Sequence, residues 1–396
     1  MTDADAGRSL EGKGGNTIRV VAPGPLSLVQ DGGRAGFQNL GVSVSGAADI
    51  NALNTGNRLV GNHPDAAALE ILLGGAEFVF EHTVIFALTG AETGATLDGV
   101  PLALNVSYAA HAGAQLVFGM ATRGLRAYLA VAGGIDTPPV LGSRSTHVAS
   151  EIGGVEGRAL VAGDALHIGE PPEAAISGNV FPGPGSGDPG TDSASQDSPG
   201  PPTVNVRVVL GPQDDEFSPE GIEVFLNSMY VVTDQSNRQG LRLDGPEIES
   251  STGRYDIVSD AVVSGSVQVP GDGKPIILLA DRQTTGGYAK VATVASVDLP
   301  KLGQAAPGTS ITFAAISVEE AQELLVARSK RVLDSDLGQL VDAISVRVDD
   351  QQVSVGVAEN ETVDPARGDQ IARITRVARI NGITYPIFAE TYTPGE

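Results

Sequence analysis

Glycine and proline are the strongest constraint on how this chain folds. The sequence contains 51 glycines and 24 prolines in 396 residues, about one residue in five. Both residues are unfavourable inside helices, and both favour the turns that connect short strands. This content excludes a helical bundle, and the length predicts two or three mainly β domains.

The charge of the chain limits its partners. It has 25 basic and 48 acidic residues, which gives a formal net charge of −23 at pH 7. Such a charge repels nucleic-acid phosphates and anionic lipids, so we expect neither nucleic acid nor a membrane as a partner. Cysteine is absent, which excludes disulfides and thiolate chemistry and agrees with a cytoplasmic protein.

A segment rich in Pro, Gly, Ser and Asp divides the chain at residues 170–203. Its composition offers little apolar surface to offset the cost of ordering, so it is predicted to be a linker. We expect a disordered leader over residues 1–16, a first lobe over 17–169 and a second lobe over 204–317. Residues 318–396 are predicted to form a C-terminal extension.

Short apolar segments bounded by glycine or proline predict strands in both lobes. The predicted strands of the first lobe are residues 18–21, 77–80, 84–88, 115–118 and 127–131. Those of the second lobe are residues 204–210, 230–233, 266–269, 276–280, 292–297 and 310–314. Strands at this density, with few helices, predict a barrel or a sandwich in each lobe.

Helical periodicity is confined to three segments. Residues 48–59 follow Ser45-Gly46, and residues 219–227 follow Ser218, a favourable N-cap. Residues 318–344 carry an apolar stripe at helical spacing. Beyond them, Asn381-Gly382 between apolar segments predicts a hairpin, which makes the extension a small α+β unit.

Several common catalytic motifs are missing from the sequence. It has no P-loop, no dinucleotide-binding glycine motif and no nucleophile elbow. The five histidines fall at no metal-ligand spacing, so no metal site is expected. No lysine is flanked by methionine, so we expect no biotin attached to this chain.

The first candidate cluster lies at residues 30–38 and 44–49, and it contains Asp31, Arg34 and Ser45. Glycines here permit close approach of the backbone to a ligand, and an Arg can bind a carboxylate or phosphate through two hydrogen bonds. A serine just before a helix predicts an anion at the helix N-terminus. The alternative is a β-turn with a solvated Arg.

The second candidate cluster is Ser143-Arg144-Ser145, in which two hydroxyls flank a guanidinium. This arrangement suits an anion, and the alternative is a surface loop.

The third cluster, residues 281–288, follows the predicted strand 276–280 directly. Packing alone does not explain so many polar residues at the end of a core strand. Carboxylate, guanidinium and hydroxyl groups there could serve as a base or hold a carbonyl oxygen. Residues 235–240, which include Arg238, form a weaker cluster of the same kind.

These clusters belong to longer motifs, in chain order GPLSLVQDGGRAGFQNLGVSVSGAAD, PPVLGSRST, QSNRQGLRLDGP and PIILLADRQTTGGYAKVATV. Over about residues 20–318 the sequence resembles the KipA family, whose members are the C subunit of 5-oxoprolinase. That family is related to the carboxyltransferase part of urea carboxylase and to allophanate hydrolase subunit 2. The resemblance implies two cyclophilin-like β-barrel lobes.

The resemblance also implies an activity and partners. It implies an enzyme that opens 5-oxo-L-proline to L-glutamate with ATP, together with Mg²⁺, which is bound at a subunit interface or by a partner. The implied partners are the KipI-like B subunit of 5-oxoprolinase and its A subunit. The alternatives are a biotin-dependent carboxyltransferase component acting on urea or a related amide, and a non-enzymatic regulator that binds a sensor kinase.

Residue chemistry then assigns roles within the clusters. The expected catalytic residues are Asp281, Arg282, Thr284 and Thr285. The expected substrate-binding residues are Asp31, Arg34, Ser45, Ser143, Arg144, Ser145, Arg238, Gln283, Gly286, Gly287 and Tyr288. Within these sets, Arg34, Arg144 and Arg282 are assigned to charge neutralisation.

Overall fold

Antiparallel strands build the first lobe. The computed structural model describes residues 16–180 and 202–334, and five strand segments between residues 338 and 393. The strands of the first lobe are β1 (Thr17–Pro23), β2 (Leu26–Gln30), β3 (Ala68–Leu72), β4 (Ala76–Phe80), β5 (Val84–Glu92), β6 (Thr96–Leu97), β7 (Val100–Pro101), β8 (Ser107–Ala110), β9 (Gln115–Val117), β10 (Arg123–Val131) and β11 (Ala165–His167), and the short β12 (Asn179–Val180) follows them. Helix α1 (Ile50–Leu59) is inserted between β2 and β3.

Two sheets enclose the core of this lobe. One has the strand order β11-β1-β4-β9-β6-β7 and the other the order β2-β3-β10-β5-β8. Alternation places Ala76, Phe78 and Phe80 of β4 in the interior, where Phe80 packs against Phe86 at a ring distance of 5.0 Å. Helix α1 covers the outer face of the second sheet through residues such as Leu53. This sheet carries β2 and β3, the strands that lead to the candidate site.

The second lobe is a closed barrel. Its elements are β13 (Thr203–Leu210), α2 (Pro219–Asn227), β14 (Tyr230–Val232), β15 (Gly240–Asp244), β16 (Asp256–Ala261), β17 (Ser266–Gln268), β18 (Ile276–Leu278), β19 (Thr285–Tyr288), β20 (Lys290–Val294), α3 (Leu299–Gly303) and β21 (Ser310–Ala315). The barrel order is β13-β20-β17-β18-β15-β14-β21, and the parallel pair of β21 with β13 closes it. Strands β16 and β19 form a separate two-stranded ribbon. The prediction of a mainly β fold with two lobes is confirmed.

The observed first residue agrees with the prediction for one of the two helices within the lobes and differs for the other. Helix α2 has the predicted bounds, and the Ser218 hydroxyl accepts the amide of Gly221 as its N-cap. Helix α1 begins two residues later than expected, because the Asp49 carboxylate caps it by accepting the amide of Ala52. Ser45 therefore does not lie at a helix N-terminus, and that part of the prediction was wrong.

The C-terminal extension combines a helix with strands. Its elements are α4 (Val318–Asp334), β22 (Gly338–Gln339), β23 (Val341–Val348), β24 (Gln351–Val363), β25 (Gln370–Ile380) and β26 (Ile383–Thr393). The predicted helix over 318–344 was too long, because the alternating segment from residue 341 pairs with β24 instead. Strands β25 and β26 pair antiparallel with Ile380 opposite Ile383, as the hairpin prediction required. Its turn, Asn381-Gly382, lies outside the described residues.

The predicted leader and linker fall largely outside the described residues, which omit 1–15 and 181–201. The first residues of the predicted linker are nevertheless packed against the first lobe. Gly178 donates its amide to the Ser107 carbonyl, and the Asn179 side chain donates to the Leu59 carbonyl at 2.9 Å. The domain boundaries otherwise stay predictions. Within the described residues, no helix combines the length and apolar character needed to cross a bilayer.

Candidate active site at the interface of the two lobes

Asp31 joins the first two predicted clusters. It follows β2, and its carboxylate accepts the hydroxyls of Ser143 at 2.6 Å and Ser145 at 2.5 Å. The same carboxylate accepts the backbone amides of Arg144 at 2.5 Å and Gly33 at 2.8 Å. The structure thus brings these two loops together, and the carboxylate oxygens of Asp31 accept the hydrogen bonds that hold them.

Asp281 links the lobes at the end of β18. Its Oδ1 accepts the hydroxyl of Ser45 from the first lobe at 2.7 Å. Arg238, from the same lobe as Asp281, donates to both carboxylate oxygens at 2.7 and 3.0 Å. Arg238 also donates to the Gly46 carbonyl at 2.6 Å, and Ser45 donates its amide to the Ala280 carbonyl. Asp281, Ser45 and Arg238 therefore form one buried cluster that crosses the interface.

Glu70 extends this cluster into the first lobe. Its Oε1 pairs with Arg238 at 2.5 Å and with Arg126 at 3.4 Å, and its Oε2 accepts the Tyr128 hydroxyl at 2.7 Å. Burial works against ionisation of Glu70, but Arg238 and Arg126 outweigh it and lower the pKa of this carboxyl. Burial also works against the charge of Arg238, but Glu70 and Asp281 outweigh it and raise the pKa of this guanidinium.

Hydrogen bonds of the Gln304 side chain connect the second lobe to a bulge in β10 of the first lobe. Its Oε1 accepts the amides of Leu125 and Arg126, each at 2.9 Å. Its Nε2 donates to the Arg126 carbonyl at 3.0 Å and to Asp49 at 2.8 Å. The register of β10 shifts between residues 123 and 127, which exposes these backbone groups to a partner. All four hydrogen bonds of this amide thus fix the position of one lobe on the other.

Two further guanidinium groups of the site have incomplete hydrogen bonding. Arg34 donates to the Ser145 carbonyl, but its Nε and Nη1 have no hydrogen-bond partner among the described residues. Arg282 donates to the Leu279 carbonyl at 3.4 Å, and its Nε likewise has no partner in the described part of the chain. Burial lowers the pKa of Arg282, and burial lowers that of Arg34 against the opposing effect of Asp31 and Asp281. Both groups can therefore still donate to a ligand.

Other predicted site residues lie elsewhere. The Arg144 guanidinium pairs with Asp136 at 2.8 Å, at an exposed position. Gln283 is exposed, and Thr284 is half-buried. Thr285, Gly286, Gly287 and Tyr288 form strand β19 of the two-stranded ribbon, apart from the Asp281 cluster. Of the third predicted cluster, only Asp281 and Arg282 are buried at the interface.

Sequence reasoning missed several members of the site. Glu70 is the one acidic residue within the apolar segment of β3, which is a weak signal of a buried ion pair. Arg126, Tyr128 and Gln304 carried no comparable signal. Beside these residues, a cavity of about 190 Å³ lies between the lobes, with walls that include Leu28, Leu72 and Leu241.

No three His, Asp or Glu side chains are grouped as metal ligands within the part of the chain that the structure describes. The expectation that the chain carries no metal stays a prediction.

Replacing Glu70 by Gln is expected to lower the free energy of unfolding at pH 7 by about 3 kcal/mol, because it leaves two buried guanidinium groups under-compensated. The folded-state pKa of Glu70 is lowered, so its contribution is full above the unfolded pKa of about 4.3 and is lost as pH falls through the folded value. The difference between wild type and E70Q should therefore shrink below about pH 4. Urea unfolding from pH 7 to pH 3 measures it.

Glu81 provides the matched control, because it pairs with Arg19 at 3.1 Å in an exposed position. E81Q should change the free energy by less than about 1 kcal/mol. A difference between wild type and E70Q that stays constant with pH would contradict the assigned ionisation of Glu70.

Comparison with known proteins agrees with this architecture. The family described as carboxyltransferase domain, subdomain A and B, matches residues 40–315. The C subunit of 5-oxoprolinase from Escherichia coli is 39% identical over 304 residues, which cover 77% of this chain and 93% of that protein. The urea amidolyase of Lachancea kluyveri is 34% identical over 346 residues, which cover 82% of this chain and 18% of that protein.

A solved structure extends the similarity to the fold. The structure of Kluyveromyces lactis urea carboxylase aligns with a TM-score of 0.72 and 28% identity, covering 92% of this chain and 34% of that one. This chain thus spans about a third of the urea carboxylase and nearly all of the bacterial 5-oxoprolinase protein. With a family match over most of its length and a bacterial relative covered almost end to end, the chain belongs to the carboxyltransferase domain family, subdomains A and B, together with the C subunit of 5-oxoprolinase.

Proposed function

We propose that this chain is the C subunit of a 5-oxoprolinase complex, which opens 5-oxo-L-proline to L-glutamate with ATP. The observation that carries the proposal is the pair Asp281-Arg282 at the interface of the lobes. Asp281 is a buried carboxylate held from both lobes, and Arg282 is a buried guanidinium with a free donor. The identity to the E. coli relative over 93% of that protein supports the same function.

The chemistry requires activation of a resonance-stabilised lactam. ATP transfers its γ-phosphoryl group to the lactam oxygen, and ADP leaves. Water then adds to the carbonyl carbon and the ring C–N bond breaks, after which a second water releases phosphate from the acyl phosphate. Arg282 suits the stabilisation of negative charge on the activated group, and Asp281 suits the orientation or deprotonation of water. The roles of Thr284 and Thr285 stay predictions.

Partner subunits complete the binding site for ATP in this proposal. No nucleotide-binding motif is present in the sequence, so we assign ATP and Mg²⁺ to a subunit interface or to a partner. The partners that we propose, in the cytoplasm, are the KipI-like B subunit of 5-oxoprolinase and its A subunit. The E. coli relative is itself named as one lettered subunit of 5-oxoprolinase, which supports an assembly of several chains.

Reconstitution with the products of neighbouring genes tests the proposal. The full complex should release glutamate from 5-oxo-L-proline only when ATP is present and this chain is included. Omission of this chain is the control. Glutamate release at the same rate without this chain would contradict its assignment to the complex.

Carboxyl transfer is a second candidate, favoured by the structural similarity to urea carboxylase over 92% of this chain. In that case biotin, carried by another chain, would bring the carboxyl group to urea or a related amide. Transfer of carboxyl from bicarbonate to urea, without glutamate release, would favour this candidate.

A further inference from the structure

Unpartnered buried polar atoms are concentrated near the Asp31 loops. Among the described residues they include Nε and Nη1 of Arg34 and both ring nitrogens of His147. Arg34 is 1% exposed and His147 is 7% exposed, so water does not replace the missing partners at the surface. Buried polar groups in native proteins nearly always have a partner. These atoms therefore indicate a site that is completed by a ligand.

Arg34 packs against the loop that contains His147, residues 145–153. The Arg34 guanidinium donates to the Ser145 carbonyl, two residues before His147. The backbone of His147 is bridged to Ile152, with its amide 2.9 Å from the Ile152 carbonyl. Gly153, with a φ of +73°, lies so close that a side chain there would overlap both the Ser145 carbonyl and Arg34. The loop thus carries the imidazole and packs directly against the guanidinium.

The neighbouring carboxylates do not provide the missing acceptors. Asp31 accepts from Ser143, Ser145 and two backbone amides, and Asp281 accepts from Arg238 and Ser45. Neither carboxylate makes a hydrogen bond to Arg34. A guanidinium keeps its charge in a protein, and burying it without direct acceptors is unfavourable. An oxyanion that binds there would satisfy both the charge and the open donors.

We propose that Arg34 and His147 form a pocket for the carboxylate of the substrate. The proposal rests on the proposed function, because 5-oxo-L-proline carries such a group next to its lactam. Carboxylate and phosphate share the oxyanion chemistry that this pocket recognises. We assign the pocket to carboxylate because Asp31 and Asp281 act electrostatically on the same guanidinium and would repel a phosphate dianion more strongly than a monoanion. Urea, which is neutral, would leave the pocket unused.

The loop that follows Arg34 makes few hydrogen bonds. Residues 36–42 form hydrogen bonds only within the loop, in the part of the chain that the structure describes. Leu40 at its tip is 72% exposed. Displacing this loop would therefore break no hydrogen bond to the other described residues.

Calorimetric titration of the full chain tests the pocket directly. The probes are 5-oxo-L-proline, 2-pyrrolidinone, which is the same lactam without the carboxylate, and inorganic phosphate. We expect 5-oxo-L-proline to bind at least about tenfold more tightly than the other two. Arg34→Gln should lower the affinity for 5-oxo-L-proline at least about tenfold, and His147→Gln should lower it less. Arg19→Gln, at an exposed ion pair, is the matched control and should bind normally.

The comparison of ligands on the wild-type chain needs no variant, so it decides the question even if R34Q fails to fold. Equal affinity for the two lactams, no binding of any probe, or R34Q binding 5-oxo-L-proline like wild type would each overturn the pocket. Binding of phosphate through Arg34 in place of 5-oxo-L-proline would overturn the assignment to carboxylate. Glutamate release by a complex containing R34Q with an unchanged KM would overturn the pocket and leave the proposed function intact. If 5-oxo-L-proline binds in an Arg34-dependent way but the wild-type complex releases no glutamate, the pocket stands and the proposed function is overturned.

Discussion

Replacing Arg238 by methionine is expected to lower the free energy of unfolding by about 3–5 kcal/mol. Arg238 is 8% exposed and neutralises Glu70 and Asp281 from a position between the lobes. Methionine fills a similar volume but leaves two carboxylates buried without their shared cation. Urea unfolding of the full chain at pH 7 measures the loss.

Lys274 provides the control for this prediction. Its ammonium pairs with Asp244 at 2.7 Å, and both side chains are partly exposed. K274M should therefore cost no more than about 1 kcal/mol. Combining R238M with Asp281→Asn should recover part of the loss, because Asp281 is then neutral, while Glu70 keeps its pair with Arg126. If R238M lowers the free energy of unfolding no more than K274M does, the ion pairs of Arg238 contribute little to stability.

Alanine at Arg282 is expected to reduce glutamate release by the reconstituted complex to the background rate. Arg282 is buried, lies next to Asp281, and has a guanidinium nitrogen without a partner. No carboxylate is hydrogen-bonded to it among the described residues, so its removal leaves no buried anion uncompensated. A loss of activity would then reflect the missing positive charge at the reacting group, which is worth at least about a hundredfold in comparable sites. The measurement is the rate of glutamate release at saturating ATP and 5-oxo-L-proline.

Two measurements distinguish a loss of catalysis in R282A from a loss of folding. The unfolding free energy of R282A should stay close to that of wild type, and Arg282→Lys should restore part of the rate because it restores the charge. A wild-type rate in R282A would remove this residue from the mechanism.

Local signals in the sequence located much of the architecture. Alternation identified strands such as β4, and the hydroxyl of Ser218 marked the start of α2. The sequence also singled out Asp31, Ser143 and Ser145 as candidate residues, and these three side chains lie in hydrogen-bond contact. These features depend on residues close in sequence or on motifs that share one lobe.

Contacts between the lobes were the part that sequence reasoning could not supply. Glu70 and Arg238 are 168 positions apart, and neither has a neighbour in sequence that indicates its partner. For residues 284–288 the sequence pattern is ambiguous for a different reason, and their role in the site stays a prediction. A polar, glycine-rich segment after a strand has the same pattern whether it lines a cleft or forms an exposed ribbon, and here most of it forms β19. Only tertiary packing distinguishes the two outcomes.

The arrangement around Arg238 also restricts how the two lobes can move relative to each other. Glu70 and Asp281 approach one guanidinium from opposite lobes, so a hinge motion that parted the lobes would break the buried ion pair of Glu70 with Arg238 and the hydrogen bond of Ser45 to Asp281. Large rigid-body rotation between the lobes is therefore disfavoured. We therefore expect a ligand to enter by movement of surface loops while the relative orientation of the two lobes stays fixed.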